Sequence, residues 1–246
     1  MHFTAHNIVL ADGTETKPGS IPVANYPWIL GAKRCLGVLY PRGYEGLRGA
    51  DLGCLEGGYS VELARLGFRE VVGIEVRKAN FDNKCRFVKE RLAFTNLTFV
   101  NDDVWNLERY GIFDVVFCCG LLYHLDRPKQ FLHLLASQTR RALLIKTATA
   151  HDSLEGTVLP EVTTHEGLRG RWFSEAPIAK SETALWASWE NTKSFWPEKG
   201  CLIESIRDVG FPMVFEQYDA LGEIAASLKG RANNRSMLVG LKTQES

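Results

Sequence analysis

Short apolar runs alternate with amphipathic ones through most of the chain. "GADLGC" (49–54), "EVVGIEV" (70–76), "LTFV" (97–100), "FDVVFCC" (113–119) and "ALLIKTATA" (142–150) have strand length and strand composition. The fourth is apolar almost throughout, as in parallel strands buried on both faces. Between them, "GYSVELARLG" (58–67) has helical apolar spacing and a glycine stop. "KANFDNKCRFVKERLA" (78–93) reads as one long amphipathic helix, "PKQFLHLLASQT" (128–139) as another, and a further helix is expected from about Trp28. Strands and helices alternating in this way predict a doubly wound α/β fold, a mostly parallel sheet with right-handed crossovers.

The pattern breaks after residue 150. Residues 151–196 read as a long irregular insert holding four of the six tryptophans: Trp172, Trp186, Trp189 and Trp196. "EKGCLIESIRDVGF" (198–211) restores a helix. "MVFEQY" (213–218) and "SMLVGLK" (236–242) predict a closing antiparallel strand pair at the sheet edge, making seven strands. The expected organisation is an N-terminal extension (1–48) capping the substrate side, a cofactor-binding core (49–150), a Trp-rich substrate insert or lid (151–196) and a completing helix and strands (197–246).

Composition narrows the function. Lys plus Arg and Asp plus Glu are both 29 of 246 residues. This balance gives no general support to a nucleic-acid binder. The first twenty residues do not fit a signal peptide, and no apolar run has membrane-span length. Six cysteines without a CxxC spacing read as reduced thiols in a cytoplasmic protein. Cys118 and Cys119, adjacent in a strand, point to opposite faces, which argues against a shared metal. No metal site is expected.

In a doubly wound sheet, ligands bind at the carboxyl ends of the strands, so the turn after the first strand is the expected cofactor site. That turn reads Asp51-Leu-Gly53-Cys54-Leu-Glu-Gly57-Gly58. It is neither G-x-G-x-x-G nor a P-loop, so no pyrophosphate is expected here. Glu75 at the second strand end suits two ribose hydroxyls. Asp103, preferred over Asp102, suits an adenine amine at the third strand end.

"ADLGCLEGGYS", "VVGIEV", "NDDV" and "FDVVFCCGLLYHL", in this order, resemble the motifs of class I S-adenosylmethionine-dependent methyltransferases over about residues 48–150. The resemblance implies the Rossmann-like methyltransferase fold and S-adenosyl-L-methionine as cofactor. Asp51, Gly53, Cys54 and Gly57 would then shape the methionine side. Glu75 would hold the ribose, Val76 and Val104 would flank the adenine, and Asp103 would bond its edge. Cys119 and Gly120 would line the pocket near the sulfur.

His124, after the fourth strand, is a candidate general base or a structural histidine. Tyr123 beside it orients substrate or packs. His165 and Glu166 sit in the insert as candidate catalytic residues or as ordinary loop residues. "SETALWASWE" places Leu185, Trp186 and Trp189 on one helical face, a docking lid or an aromatic substrate wall, with Trp172 a further substrate candidate. The expected substrate is a small molecule or saccharide methylated on oxygen. The alternative is a tRNA-modifying (carboxy)methyltransferase, because "GLLYHLDRPKQFL" and "SFWPEKGCLIESIRDVGF" also resemble the bacterial tRNA wobble-uridine enzymes that use carboxy-S-adenosylmethionine. Nucleic acid is the less favoured partner, and no oligomeric state is legible.

Overall fold

The computed structural model describes residues 2–150, 159–180, 182–184, 186, 188–217 and 235–243. His151 and Leu185 lie outside them. A seven-stranded sheet has the order β3-β2-β1-β4-β5-β10-β9, and a second sheet has the order β6-β7-β8. The chain forms two compact units, Met1–Phe117 and Cys118–Ser246.

In the first unit, α1 (Pro27–Leu39) precedes β1 (Arg48–Leu52), α2 (Gly58–Arg65), β2 (Glu70–Ile74) and β3 (Leu97–Val100). Strand β2 pairs in parallel with both β1 and β3. Strand β4 (Phe113–Cys119) begins here, pairs in parallel with β1, and is buried at every position. Burial on both faces explains why it is apolar almost throughout.

The expected single helix over 78–93 is instead α3 (Lys78–Asn80), a π turn (Phe81–Cys85) and α4 (Arg86–Leu92). Tertiary contacts account for the interruption. It brings consecutive residues, Lys84 and Cys85, against the turn after β1, with Lys84 Nζ 2.7 Å from Glu56 Oε1 and Cys85 Sγ 3.5 Å from the Leu55 carbonyl.

In the second unit, α5 (Pro128–Gln138) leads into β5 (Thr139–Ala148), which pairs antiparallel with β10 (Arg235–Leu241). Strand β9 (Met213–Gln217) follows α6 (Lys199–Asp208) and pairs antiparallel with β10, so β9 alone of the late pair lies at the edge.

The insert departs most from expectation. It contains an antiparallel sheet of β6 (Val162–His165), β7 (Leu168–Ser174) and β8 (Lys193–Pro197). Glu166 and Gly167, both at positive φ, form the two-residue turn that returns β6 into β7. The described residues of "SETALWASWE" form turns and bends, not the expected helix, and Trp186 is 64% exposed.

At Gly170, opposite Pro197, a Cβ would stand 2.2 Å from the Trp196 carbonyl oxygen and 2.8 Å from the Phe195 ring. Only a residue without a side chain admits this approach of β7 to β8. Gly170→Ala is therefore expected to cost about 3 kcal/mol, since overpacking against backbone cannot be relieved by a rotamer change. Urea unfolding checks this.

Candidate functional site

In the first unit, the turn after β1 is held from several sides. Gly57 adopts φ 84°, and a Cβ there would lie 2.6 Å from the Phe99 ring. Leu55 has φ 56°, a region costly for a residue with a side chain. Its N–H donates to Glu75 Oε2 at 2.8 Å. The other Glu75 oxygen accepts from Arg77 N–H at 2.8 Å. Burial raises the Glu75 pKa, although these bonds oppose the shift. Val76 and Val104 follow β2 and β3 in the chain.

Asp51 Oδ2 accepts the Ser60 hydroxyl at 2.6 Å, while Oδ1 is buried without a hydrogen-bond partner. Burial lifts the Asp51 pKa to about 7. An unpaired buried carboxylate oxygen beside a glycine turn fits an ammonium donor.

Of the two acids after β3, Asp102 is committed to its surroundings, accepting from Tyr110 OH, Asn106 Nδ2 and the Asp103 N–H. Asp103 Oδ1 caps the following turn through Trp105 N–H at 2.9 Å. Cys54 is fully buried, its sulfur 4.0 Å from that of Cys85.

In the second unit, Gly120 follows β4 at φ 80° and donates its N–H to the Lys146 carbonyl. Cys119 is buried. Next, a single helical turn (Leu122–His124) presents His124, whose Nδ1 lies 2.9 Å from Glu175 Oε1. Burial would raise the Glu175 pKa, but the His124 contact and the Ser188 N–H outweigh it and hold the carboxyl below its ordinary value. In the tautomer that donates Nδ1–H to Glu175, Nε2 is the acceptor nitrogen. Among the described residues, Nε2 makes no hydrogen bond.

Tyr123 is buried. Its carbonyl accepts Trp196 Nε1–H at 2.7 Å, and the Arg235 guanidinium lies 5.2 Å from its ring centroid. Trp196 in turn stacks on Phe173 at 4.0 Å.

Other sequence candidates are placed elsewhere. His165 Nε2 lies 2.8 Å from the Asp126 carbonyl, and its ring packs on Trp172 and Phe195. Glu166 reaches the first turn of α5, accepting from Lys129 N–H at 2.8 Å and Gln130 N–H at 3.3 Å. It is a helix cap supplied from a distant hairpin. Trp172 packs on Phe195, Trp189 is half-buried, and neither joins a helical face with Trp186.

Sequence reasoning missed Glu175 and Trp196 as partners of His124 and Tyr123. Their separations of 51 and 73 residues leave no local signal. Among the described residues, no cluster of three metal-ligating side chains occurs, and no helix is long and apolar enough to cross a membrane.

A family model described as a methyltransferase domain matches residues 45–201. The chain is 32% identical over 101 residues to the mitochondrial ubiquinone biosynthesis O-methyltransferase of Dictyostelium discoideum, 37% of this chain. It is 27% identical over 129 residues to the tRNA U34 carboxymethyltransferase of Alteromonas mediterranea, 50% of this chain. The matches span only 32% and 39% of those two proteins. Among solved structures, the N-terminal domain of EvdMO1, crystallised with S-adenosylhomocysteine and D-fucose, has a TM-score of 0.68 at 23% identity. That match covers 94% of this chain and 88% of the other. Magnesium protoporphyrin IX methyltransferase from Synechocystis PCC 6803, with bound S-adenosylhomocysteine, has a TM-score of 0.56 at 19% identity and covers 92% and 90%. At these identities the structures show a shared fold.

The raised Asp51 pKa sets a pH dependence. The folded state favours the protonated acid, so this contribution to stability is complete below the ordinary carboxyl pKa and is lost as pH rises through about 7. His6, pushed down to about 4 by burial, acts oppositely, its contribution falling as pH drops from 6.5. Asp51→Asn is expected to remove on the order of 2 kcal/mol of the stability gained between pH 7.5 and 5.5. Urea unfolding of both proteins at the two pH values measures the difference.

Proposed function

The chain belongs to the methyltransferase-domain family; from that premise we propose that it is an S-adenosylmethionine-dependent methyltransferase acting on a hydroxyl of a small molecule or saccharide. The observation that carries this reading is the His124–Glu175 pair, at 2.9 Å, in the turn that follows β4. When bound, the donor supplies an electrophilic methyl group on a sulfonium, and the acceptor must lose a proton as its oxygen attacks. His124 Nε2 takes that proton. Glu175 holds the ring in the required tautomer and stabilises the imidazolium that forms. A positioned base of this kind contributes roughly two to four powers of ten.

The donor is held by the first unit's strand ends. Asp51 Oδ1 receives its ammonium. Glu75, whose oxygens retain lone pairs beyond the two backbone bonds, accepts from the ribose. Asp103 accepts from the adenine amine, between Val76 and Val104. The backbone at Gly53, Cys54 and Gly57 lines the remainder of that side, and Cys119 and Gly120 remain proposed cofactor contacts. Support for a small acceptor comes from the balanced charge and from the likeness over nearly the whole chain to a domain crystallised with D-fucose. The half-buried Trp196–Phe173 stack offers an aromatic face to such a substrate. Tyr123, Trp172, Trp186 and Trp189 remain proposed substrate contacts, and His165 and Glu166 act by supporting the fold around the base.

A second reading, tRNA modification with a carboxylated donor, is favoured by Arg235 on the Tyr123 ring and by the core shared with tRNA U34 carboxymethyltransferases. A guanidinium there suits a carboxylate.

Methyl-labelled S-adenosylmethionine, incubated with cell extract and the protein, is expected to label the small-molecule or glycan fraction. Label in RNA, or transfer only from the carboxylated donor, selects the second reading. His124→Ala is expected to lower turnover roughly a hundredfold or more at unchanged S-adenosylhomocysteine affinity; full activity removes the base. Glu75→Ala should weaken S-adenosylhomocysteine binding roughly tenfold or more by calorimetry, and unchanged affinity removes its ribose role.

A further inference from the structure

The glycine turn contains an acidic side chain that does not face the donor's expected position at Asp51 and Glu75. Glu56 has no exposed surface. Its Oε1 accepts from Thr4 N–H at 2.8 Å, Thr4 Oγ1 at 3.0 Å and Lys84 Nζ at 2.7 Å. Its Oε2 accepts from Ala5 N–H at 3.0 Å and His6 N–H at 2.7 Å. Three successive backbone N–H groups of the N-terminal arm thus wrap one carboxylate, as in an anion-binding nest. Two residues on, His6 Nδ1 accepts the Gly58 N–H at 3.1 Å, satisfying the first donor of α2. The His6 ring packs on Tyr59, with centroids 4.7 Å apart.

Within four residues the turn is therefore tied at three points: Leu55 N–H to Glu75, the Glu56 carboxylate to the arm and Lys84, and Gly58 N–H to His6. Leu55, the first of these residues, has φ 56°. A side-chain residue persists in that conformation only where its surroundings over-determine it.

We propose that Glu56 and His6 are positioning residues for the methyl donor, and that the N-terminal arm is a structural part of the donor site. The inference rests on the glycine turn being that site. The arm holds the turn's peptides in the orientation that the methionine half of the donor meets, so the turn need not be ordered by the donor on binding. The ordering is present beforehand, and it shows as affinity.

Calorimetric titration of the full chain with S-adenosylhomocysteine tests this, alongside donor-free melting temperatures. Glu56→Gln is expected to raise Kd roughly tenfold or more. His6→Leu, which removes the acceptor facing Gly58, is expected to do the same, and His6→Asn, which returns an acceptor there, to recover most of the loss. Folded variants that all bind as tightly as the wild type overturn the proposal, as does equal weakening by His6→Leu and His6→Asn. A purely stabilising contact would lower the melting temperature and leave Kd where it was. If Glu56→Gln does not fold, the His6 pair decides. A wild-type chain that fails to bind S-adenosylhomocysteine defeats the donor reading itself, a separate outcome from normal wild-type binding with indifferent variants.

Discussion

A carboxylate without solvent contact must be satisfied by its neighbours, and Glu56 organises the first unit by this requirement. Removing either side of a buried, hydrogen-bonded charge pair costs about 3–5 kcal/mol, because the remaining charge is stranded. Burial alone would raise the Glu56 pKa. Lys84 and the arm's N–H groups reverse that, and the carboxyl sits below its ordinary value. The same demand fixes the chain on both sides. It draws residues 4–6 onto the turn after β1 and fits the π turn that delivers Lys84. The arm is further tied in by Tyr26 OH on the Ala5 carbonyl and by buried Phe3, Ile8 and Leu10.

The second unit is organised around the turn after β4. Phe195 N–H bonds the Leu125 carbonyl, Asn191 Nδ2 bonds the His124 carbonyl and Trp196 Nε1 bonds the Tyr123 carbonyl. Three consecutive carbonyls of one short turn are thereby satisfied from β8 and the segment just before it. Strand β8 presents two of these donors from within the antiparallel sheet of the insert. Glu166, at the far hairpin, caps α5 and ties the same sheet to the helix that follows the turn.

On the proposed reading, the donor contacts belong to the first unit and the base to the second. In the first unit, Glu75 is fixed by the Leu55 and Arg77 N–H groups and Asp51 by the Ser60 hydroxyl. In the second unit, the His124 ring is oriented by Glu175. An in-line displacement from a sulfonium to a hydroxyl, the reaction proposed, demands positioning and proton removal.

Much of this was legible in the linear order of residues. The first five strands and most of the crossover helices follow from period and strand length, which are local properties, while the proposed donor motifs came from a family resemblance in the order of short segments. Glu75 and Asp103 stood out because acids at strand ends repeat at the spacing of a βαβ unit. What local pattern could not reveal was every contact made over long separations. The π turn within 78–93 answers to Glu56, 28 residues from Lys84. The sheet within the insert answers to backbone carbonyls on a turn some seventy residues away. The partner of His124 comes from 51 residues downstream. A sequence carries propensity and periodicity. Which buried polar group meets which partner is decided only when the chain is packed, because the cost of leaving one unsatisfied arises only once water has been excluded.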